Sequence, residues 1–268
     1  EIRAQWIVGV GRAFAAAGAQ EEALARYRVA KAVALTESKP SASARADAEL
    51  WEADALLALG QAEEGLAIIA RLAAELTAAD AVELRVERLG QLVATLSGRE
   101  RDAEALVLAR QQQRLLQEHG LETPARRYDC LREQALRLGD LGQYDESHAL
   151  FREAAELSRK KSGSDSSDHI HDMVAVAGGV FRQGRTTEAV ALLRECVVKA
   201  ERLQPGKEAL LENALETLGW VLANSGLDAA GAEPVLRRAI ALNEKRLGPG
   251  HHSSLLSRTN LLAALVCL

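Results

Sequence analysis

The stretch Ile7-Val-Gly-Val-Gly-Arg-Ala-Phe-Ala-Ala-Ala-Gly-Ala-Gln-Glu-Glu-Ala-Leu-Ala-Arg-Tyr-Arg-Val-Ala30 predicts two amphipathic helices joined by a glycine turn. Apolar residues recur before the turn at the spacing of one helix face. They are Ile7, Val10 and Phe14. Gly18 then ends the helix, because glycine adopts the left-handed conformation at little cost. After the turn, a small, a large and a small residue follow at intervals of four and three; they are Ala23, Tyr27 and Ala30. We therefore expect an antiparallel helix pair whose small residues let the two backbones approach closely.

The same pattern occurs six times along the chain. Each copy has a glycine turn followed by a small residue, and the small residues fall at positions 23, 65, 103, 147, 189 and 232. Their spacings are 42, 38, 44, 42 and 43 residues. A period near 42 over the whole chain predicts a helical-repeat architecture. The second and third copies are degenerate, because Gly65 replaces alanine and Leu89-Gly90 lies one residue out of register.

The periodicity predicts thirteen helices. We expect them at 2–17, 20–37, 43–58, 61–77, 79–96, 100–118, 124–139, 143–160, 167–183, 187–203, 207–225, 232–247 and 253–267. Prolines at 40, 124, 205 and 249 fall between these segments, where helices must end or begin. Pro234 is expected in the first turn of its helix, a position that tolerates proline.

The composition is that of a folded all-α protein. Of the 268 residues, 48% are hydrophobic, 26% are charged and 3% are aromatic, a mixture that excludes wholesale disorder. The net charge of −5 is not the basic balance of a dedicated nucleic-acid binder, so no nucleic-acid partner is expected.

Cysteine usage and hydropathy favour a cytoplasmic location. Cys130, Cys196 and Cys267 are odd in number and far apart, which predicts buried thiols in a reducing compartment. No apolar run reaches the length of a membrane span and no signal peptide is visible, so no membrane association is expected.

The repeated pair of helices with its glycine turn resembles the tetratricopeptide repeat (TPR) family. The first copy carries the family pattern of apolar residues, glycines and alanines at Ile7, Val10-Gly11, Phe14, Gly18, Ala23, Tyr27 and Ala30. The period exceeds the usual length of about 34 residues. It is similar to the long-repeat, kinesin-light-chain-like type that occurs in bacterial multidomain regulators. Leu247-Gly-Pro-Gly-His251 matches that type locally, although His252 stands where it has proline.

The resemblance implies an all-α, right-handed superhelical solenoid of antiparallel helix pairs. Residues 1–268 would form one TPR-like domain with about six repeats and one unpaired C-terminal helix. The repeats are expected at 2–40, 43–78, 79–119, 123–162, 166–204 and 207–248, with a partial repeat at 253–268. The polar stretch 162–168 is a candidate hinge.

The sequence lacks the common short motifs for catalysis and for cofactor binding. It lacks a phosphate-binding loop, a nucleophile elbow, an HExxH pair and an EF-hand loop. The pairs His169/His171 and His251/His252 have no nearby cysteine, so loop or cap roles are favoured over a metal site. We therefore expect no enzyme activity, no catalytic residues, no cofactor and no metal.

In the resembled family, the first helix of each pair lines a concave groove. The candidate partner-binding residues in the second half of the chain are Arg132, His171, Asn213, Glu216, Trp220 and Asn260. Tryptophan and arginine are favoured interface anchors, and asparagine can pair with a peptide backbone. The alternative is that Trp220 packs between repeats and the asparagines are solvated. Trp6 and Trp51 are expected to pack.

The predicted groove carries more acidic than basic groups. Asp47, Asp54, Glu87, Asp129 and Glu216 outnumber Arg12 and Arg132. The clamp that chaperone-tail TPR proteins use for a terminal carboxylate is absent. A neutral or basic peptide is therefore the expected partner.

The expected function is a scaffold or sensor arm that binds a protein or peptide and belongs to a larger regulatory protein. A peptide-responsive regulator resembling bacterial quorum-sensing receptors is an alternative. The last helix supplies another alternative, because Leu261, Leu262, Leu265, Val266 and Leu268 would leave an apolar face where solenoids usually have a polar cap. Either the natural chain continues, which we favour, or residues 253–268 mediate self-association.

Overall fold

The computed structural model describes residues 2–36, 42–75, 82–225 and 229–266. In these ranges all regular secondary structure is helical. The helices are α1 (Ile2–Ala16), α2 (Gln20–Thr36), α3 (Ala42–Ala58), α4 (Ala62–Glu75), α5 (Val82–Ser97), α6 (Asp102–Glu118), α7 (Pro124–Asp140), α8 (Tyr144–Ser162), α9 (Ser167–Arg182), α10 (Thr186–Arg202), α11 (Glu208–Asn224), α12 (Ala229–Leu247) and α13 (His252–Val266). The all-α prediction is confirmed. The predicted helix ends at 37, 77 and 267 and the predicted start at 79 lie outside the described residues, and the other boundaries agree with their predictions within three residues.

Proline 234 is the clearest local disagreement with the predicted helices. Because α12 begins at residue 229, Pro234 lies inside the helix and not in its first turn. A proline at this position removes one main-chain hydrogen bond from the helix.

One turn geometry joins the two helices of each of the first five pairs. The chain adopts a positive φ at Gly18, Gly60, Glu100, Gly142 and Gly184. The next N–H returns to the carbonyl five residues earlier, as in Ala19 to Phe14 (3.0 Å) and Arg185 to Val180 (3.2 Å). This is the Schellman arrangement, which satisfies the last carbonyls of the first helix and reverses the chain. The second helix then begins two residues after the left-handed position.

The third repeat corrects the sequence alignment. Its left-handed residue is Glu100, at φ 57°, and not Gly98, so the predicted small residue Ala103 is also misplaced. Ala103 is exposed, whereas Ala105 is completely buried. The left-handed positions are therefore spaced by 42, 40, 42 and 42 residues. The apparent irregularity arose because a glutamate occupies the conformation that glycine occupies elsewhere.

Glycines in the first helices allow close contact with the second helices. A Cβ atom at Gly11 would lie 2.5 Å from the ring of Tyr27. A Cβ atom at Gly219 would lie 2.5 Å from Leu236. Since real Cβ atoms do not approach so closely, these two glycines are required by helix packing. This explains the Val-Gly and Leu-Gly pairs of the first and sixth copies.

The chain divides into two compact units. Unit 1 comprises residues 1–123 and unit 2 comprises residues 124–268. In unit 1, the buried residues Ala23, Tyr27, Ala30 and Leu56 belong to a core between α1, α2 and α3. In unit 2, a larger core extends from α7 to α13. Residues 163–166 connect α8 and α9 inside unit 2, and a hinge at 162–168 stays a prediction.

Candidate functional site

The first helices α9, α11 and α13 of unit 2 form the candidate site. α11 packs directly against α9 and against α13, so three consecutive first helices present one continuous face. An open pocket of about 330 Å³ lies on this face. Its lining residues are Arg182, Glu216, Thr217, Trp220, Leu256 and Asn260, and we call it the first-helix pocket.

The pocket brings together three of the six predicted site residues. Glu216 and Trp220 come from α11, one helical turn apart, and Asn260 comes from α13. Asn213 lies on α11 one turn before Thr217, whose hydroxyl donates to its carbonyl (2.9 Å), but Asn213 is not among the lining residues. Arg132 and His171 belong to a separate cluster.

One wall of the pocket consists of the indole of Trp220 and the guanidinium of Arg182, which lies over aromatic rings. The indole of Trp220 meets Phe181 edge to face, with ring centroids 5.1 Å apart. The guanidinium of Arg182 lies 3.5 Å from the ring centroid of Tyr144 and 5.5 Å from that of Trp220. Such contacts orient the guanidinium while leaving its edge open to the pocket. Trp220 therefore combines the packing role and the pocket role that the sequence left as alternatives.

Arg182, Thr217 and Leu256 line the pocket and were missed by the sequence prediction. Arg182 is in the last turn of α9, eleven residues or about three helical turns after the predicted site residue His171. Continuing the helical spacing to the end of the helix would have found it. Leu256, one turn before Asn260, is 45% exposed and supplies an apolar surface. Next to it, Ser257 donates a hydrogen bond of 2.6 Å to Glu216, which ties α13 to α11.

Arg132 and His171 lie at a buried polar cluster between α7, α8 and α9. Arg132 is 3.2 Å from both Asp172 and the Nδ1 atom of His171, and its side chain is 28% exposed. The fully buried Asp172 also accepts a hydrogen bond of 2.9 Å from Ser158. Arg132 is thus engaged inside the protein, and the structure does not place it in the first-helix pocket.

Burial changes the protonation of this cluster. Desolvation raises the pKa of Asp172 to about 6, although the hydrogen bond from Ser158 and the charge of Arg132 act in the opposite direction. Desolvation and the charge of Arg132 lower the pKa of His171. A neutral His171 can accept the Arg132 hydrogen bond at Nδ1, which places its own proton on Nε2. The sequence did not single out Asp172, which has no motif of its own.

In unit 1, two acidic residues of the predicted groove are engaged by arginines of α5 and of the turn that follows it. Asp54 receives two hydrogen bonds of 2.8 Å from Arg99, and Asp47 forms an ion pair with Arg88. The negative charge of these two carboxylates, which favoured a basic partner, is therefore balanced by arginines of the same chain.

The tryptophans of unit 1 have different surroundings. Trp51 is half-buried, stacks on Tyr27 at 6.2 Å and has the guanidinium of Arg12 4.9 Å from its ring centroid. Its expected packing role is confirmed. Trp6 is 71% exposed, so the expectation that it packs is wrong, because its face of α1 has little contact with the neighbouring helices.

The structure offers few features for other chemistry. Within the described ranges, no three His, Cys, Asp or Glu side chains converge to hold a metal ion. The Nδ1 atom of His169 contacts the carbonyl of Ala155 at 2.9 Å, and the main-chain N–H of His169 donates to the hydroxyl of the N-cap Ser166. Cys130 and Cys196 are buried free thiols, while Cys267 lies outside the described residues. None of the described helices combines the length and the apolarity that crossing a membrane requires.

Comparisons with known proteins agree with this fold. The family model of the tetratricopeptide repeat matches residues 130–171. No curated protein matches the sequence. BtubC (BKLC) from P. vanneervenii superposes with a TM-score of 0.65 at 16% identity, over 87% of this chain and 94% of that one.

Two other solved structures are described as a protein with a sensor and as a complex with a peptide. A STAND protein from Pyrococcus horikoshii with a tetratricopeptide repeat sensor has a TM-score of 0.65 at 12% identity, over 96% of this chain and 38% of its own. NprR in complex with its cognate peptide NprX has a TM-score of 0.62 at 12% identity, over 98% and 73%. The chain thus contains a tetratricopeptide repeat at residues 130–171 and has the TPR-like fold of repeated antiparallel helix pairs.

Proposed function

We propose that this chain is a protein- or peptide-binding scaffold or sensor arm of a larger regulatory protein, without chemistry of its own. The observation that carries the proposal is the first-helix pocket. Its Trp220 and Leu256 offer apolar contact, while Arg182, Glu216 and Asn260 surround them with polar groups. An apolar centre with a polar rim is the usual composition of a recognition site.

The partner would contribute a short segment with one large apolar side chain. That side chain would lie against Trp220 and Leu256, and the amide of Asn260 would pair with the main chain of the segment. The peptide-bound NprR structure, which shares this fold, supports a peptide as the ligand.

The test is a selection of random 12-residue peptides against the intact chain, followed by fluorescence anisotropy with each selected peptide. Leu256→Lys places a charge in the apolar part of the pocket and should weaken binding about tenfold or more. Leu262→Lys is the matched control, because Leu262 is a 64% exposed leucine on the same helix outside the pocket lining. Equal binding by both variants would remove the pocket from the proposal.

A peptide-responsive regulator is a narrower form of the same proposal. It is favoured by the superposition on NprR, described as a quorum sensor in its apo form from B. thuringiensis. If binding changes the arrangement of the repeats, small-angle scattering should show a smaller radius of gyration with the selected peptide. An unchanged radius of gyration would exclude the regulator and leave only the scaffold role.

Self-assembly through α13 is the second candidate. Leu262 and Val266 are exposed on this helix, as are Leu255 and Leu256. Light scattering should then give a multiple of 28.8 kDa for the chain and the monomer mass for Leu262→Lys. A monomer in both samples would refute self-assembly.

A further inference from the structure

Unit 1 contains a cleft that the proposed function does not use. It lies between the beginning of α5 and the end of α6, and its volume is about 320 Å³. Its lining residues are Arg85, Gln111, Arg114, Leu115 and Glu118. Because α5 and α6 are antiparallel, the two arginines reach the same end of the helix pair from different helices.

These two arginines differ from most others of unit 1. Six arginines in the unit form ion pairs with carboxylates; they are Arg28, Arg45, Arg71, Arg88, Arg99 and Arg101. Neither Arg85 nor Arg114 has a carboxylate within ion-pair distance in the part of the chain that the structure describes. The Nε atom of Arg85 is buried and has no hydrogen-bond acceptor among the described residues.

A buried donor without an acceptor destabilises a protein, unless a bound group supplies the acceptor. Arg114 is oriented along α6 by a hydrogen bond of 3.4 Å from its Nε to the carbonyl of Arg110. Its terminal N–H groups have no acceptor within residues 2–36, 42–75, 82–225 and 229–266. Two guanidinium groups that face one cleft match the paired oxygens of a phosphate or carboxylate.

We propose that this cleft binds a small metabolite through a phosphate or carboxylate group held by Arg85 and Arg114. The volume is about ten times that of a water molecule, so the cleft holds more than the anion itself. Glu118 would accept a hydrogen bond from an amino or hydroxyl group of the ligand. Gln111 can donate or accept, and the buried Leu115 supplies an apolar floor.

Isothermal titration at constant ionic strength tests the site with three probes, inorganic phosphate, O-phosphoserine and citrate. We expect saturable binding of one probe molecule per chain. The Nε–Hε signal of Arg85 should shift during the same titration followed by NMR. The phosphate and citrate arms distinguish a phosphate ligand from a carboxylate ligand, and tighter binding of O-phosphoserine would support the role of Glu118.

Arg85→Gln should weaken binding about tenfold, since a neutral amide cannot replace a charged, two-pronged donor. Arg110→Gln is the matched control, because Arg110 is on α6 but outside the cleft lining. If Arg85→Gln does not fold, Arg114→Gln gives the same test at an exposed position. The proposal is overturned if no probe saturates by about 10 mM. It is also overturned if both cleft variants bind as tightly as the unchanged chain.

Discussion

The charge of the buried Asp172 should make unit 2 more stable in mild acid than at neutral pH. The carboxyl is fully buried, and its pKa is raised from 3.8 to about 6, chiefly by desolvation. Between these two values the folded chain holds a proton that the unfolded chain has released. The free energy of unfolding therefore falls as the pH rises through this window. At about 1.4 kcal/mol per pKa unit, the total loss is about 3 kcal/mol.

Asp172→Asn removes this titration and keeps a group that can still accept the Ser158 hydrogen bond. We expect the variant to gain about 2–3 kcal/mol relative to the unchanged chain between about pH 4 and pH 7. The charge of Arg132 favours the ionised carboxyl, and its effect is already contained in the pKa of about 6. Asp129→Asn is the control, because Asp129 is an exposed carboxylate of unit 2 that does not contribute to the pKa shift of Asp172.

Urea unfolding followed by tryptophan fluorescence measures the effect in unit 2. Trp220 is the one tryptophan of residues 124–268, so replacing Trp6 and Trp51 by Phe makes the signal specific to this unit. A stability difference between the aspartate and asparagine forms that is constant from pH 4 to pH 7 would refute the reasoning. So would a difference that changes in the opposite direction.

Three further predictions concern the repeats and the polar contacts of unit 2. Glu100→Gly should stabilise unit 1 by about 0.5–1 kcal/mol in urea unfolding, because glycine relieves the left-handed strain at some entropic cost; a loss of stability would contradict the assigned turn. Gly179→Ala should destabilise unit 2 by about 1–3 kcal/mol, since the added Cβ would lie 2.1 Å from His148. The adjacent Gly178→Ala should stabilise unit 2 by about 0.5–1 kcal/mol, because its Cβ meets no atom within 4 Å and alanine favours the helix. Burial and the charge of Arg182 lower the pKa of His148. The free energy of unfolding therefore falls as the pH drops below about 6.5, because the unfolded chain then binds a proton at His148 more readily than the folded chain does. An NMR titration should place the His148 midpoint below 6.5 and move it upward in Arg182→Gln; an unchanged midpoint would exclude the influence of Arg182.

Much of the fold follows from local signals. Helix boundaries agree with prediction within three residues, because apolar spacing, glycine turns and prolines all act within a few positions of the chain. The same local rules failed at Glu100 and Pro234. A turn held by the packing of the helices on both sides can accept a residue that local preference disfavours. A proline can likewise lie inside a helix whose burial compensates for the lost hydrogen bond.

The candidate site was predicted only in part. Glu216, Trp220 and Asn260 were found because each lies at a groove position of its own helix. The separation of Arg132 and His171 from this pocket could not be predicted, since it depends on Asp172 being the buried partner nearby. In unit 1, the engagement of Asp47 by Arg88 and of Asp54 by Arg99 joins residues 41 and 45 positions apart.

The sequence by itself determined the repeat and the helix pairs. These properties depend on periods of 3.6 and about 42 residues that can be read along one chain. The tertiary structure decided which charged side chains are neutralised, which are left to face a pocket, and where a buried carboxyl retains its proton. Those outcomes depend on contacts between side chains one repeat apart. Their burial and charge environment exist only after the helices have packed together.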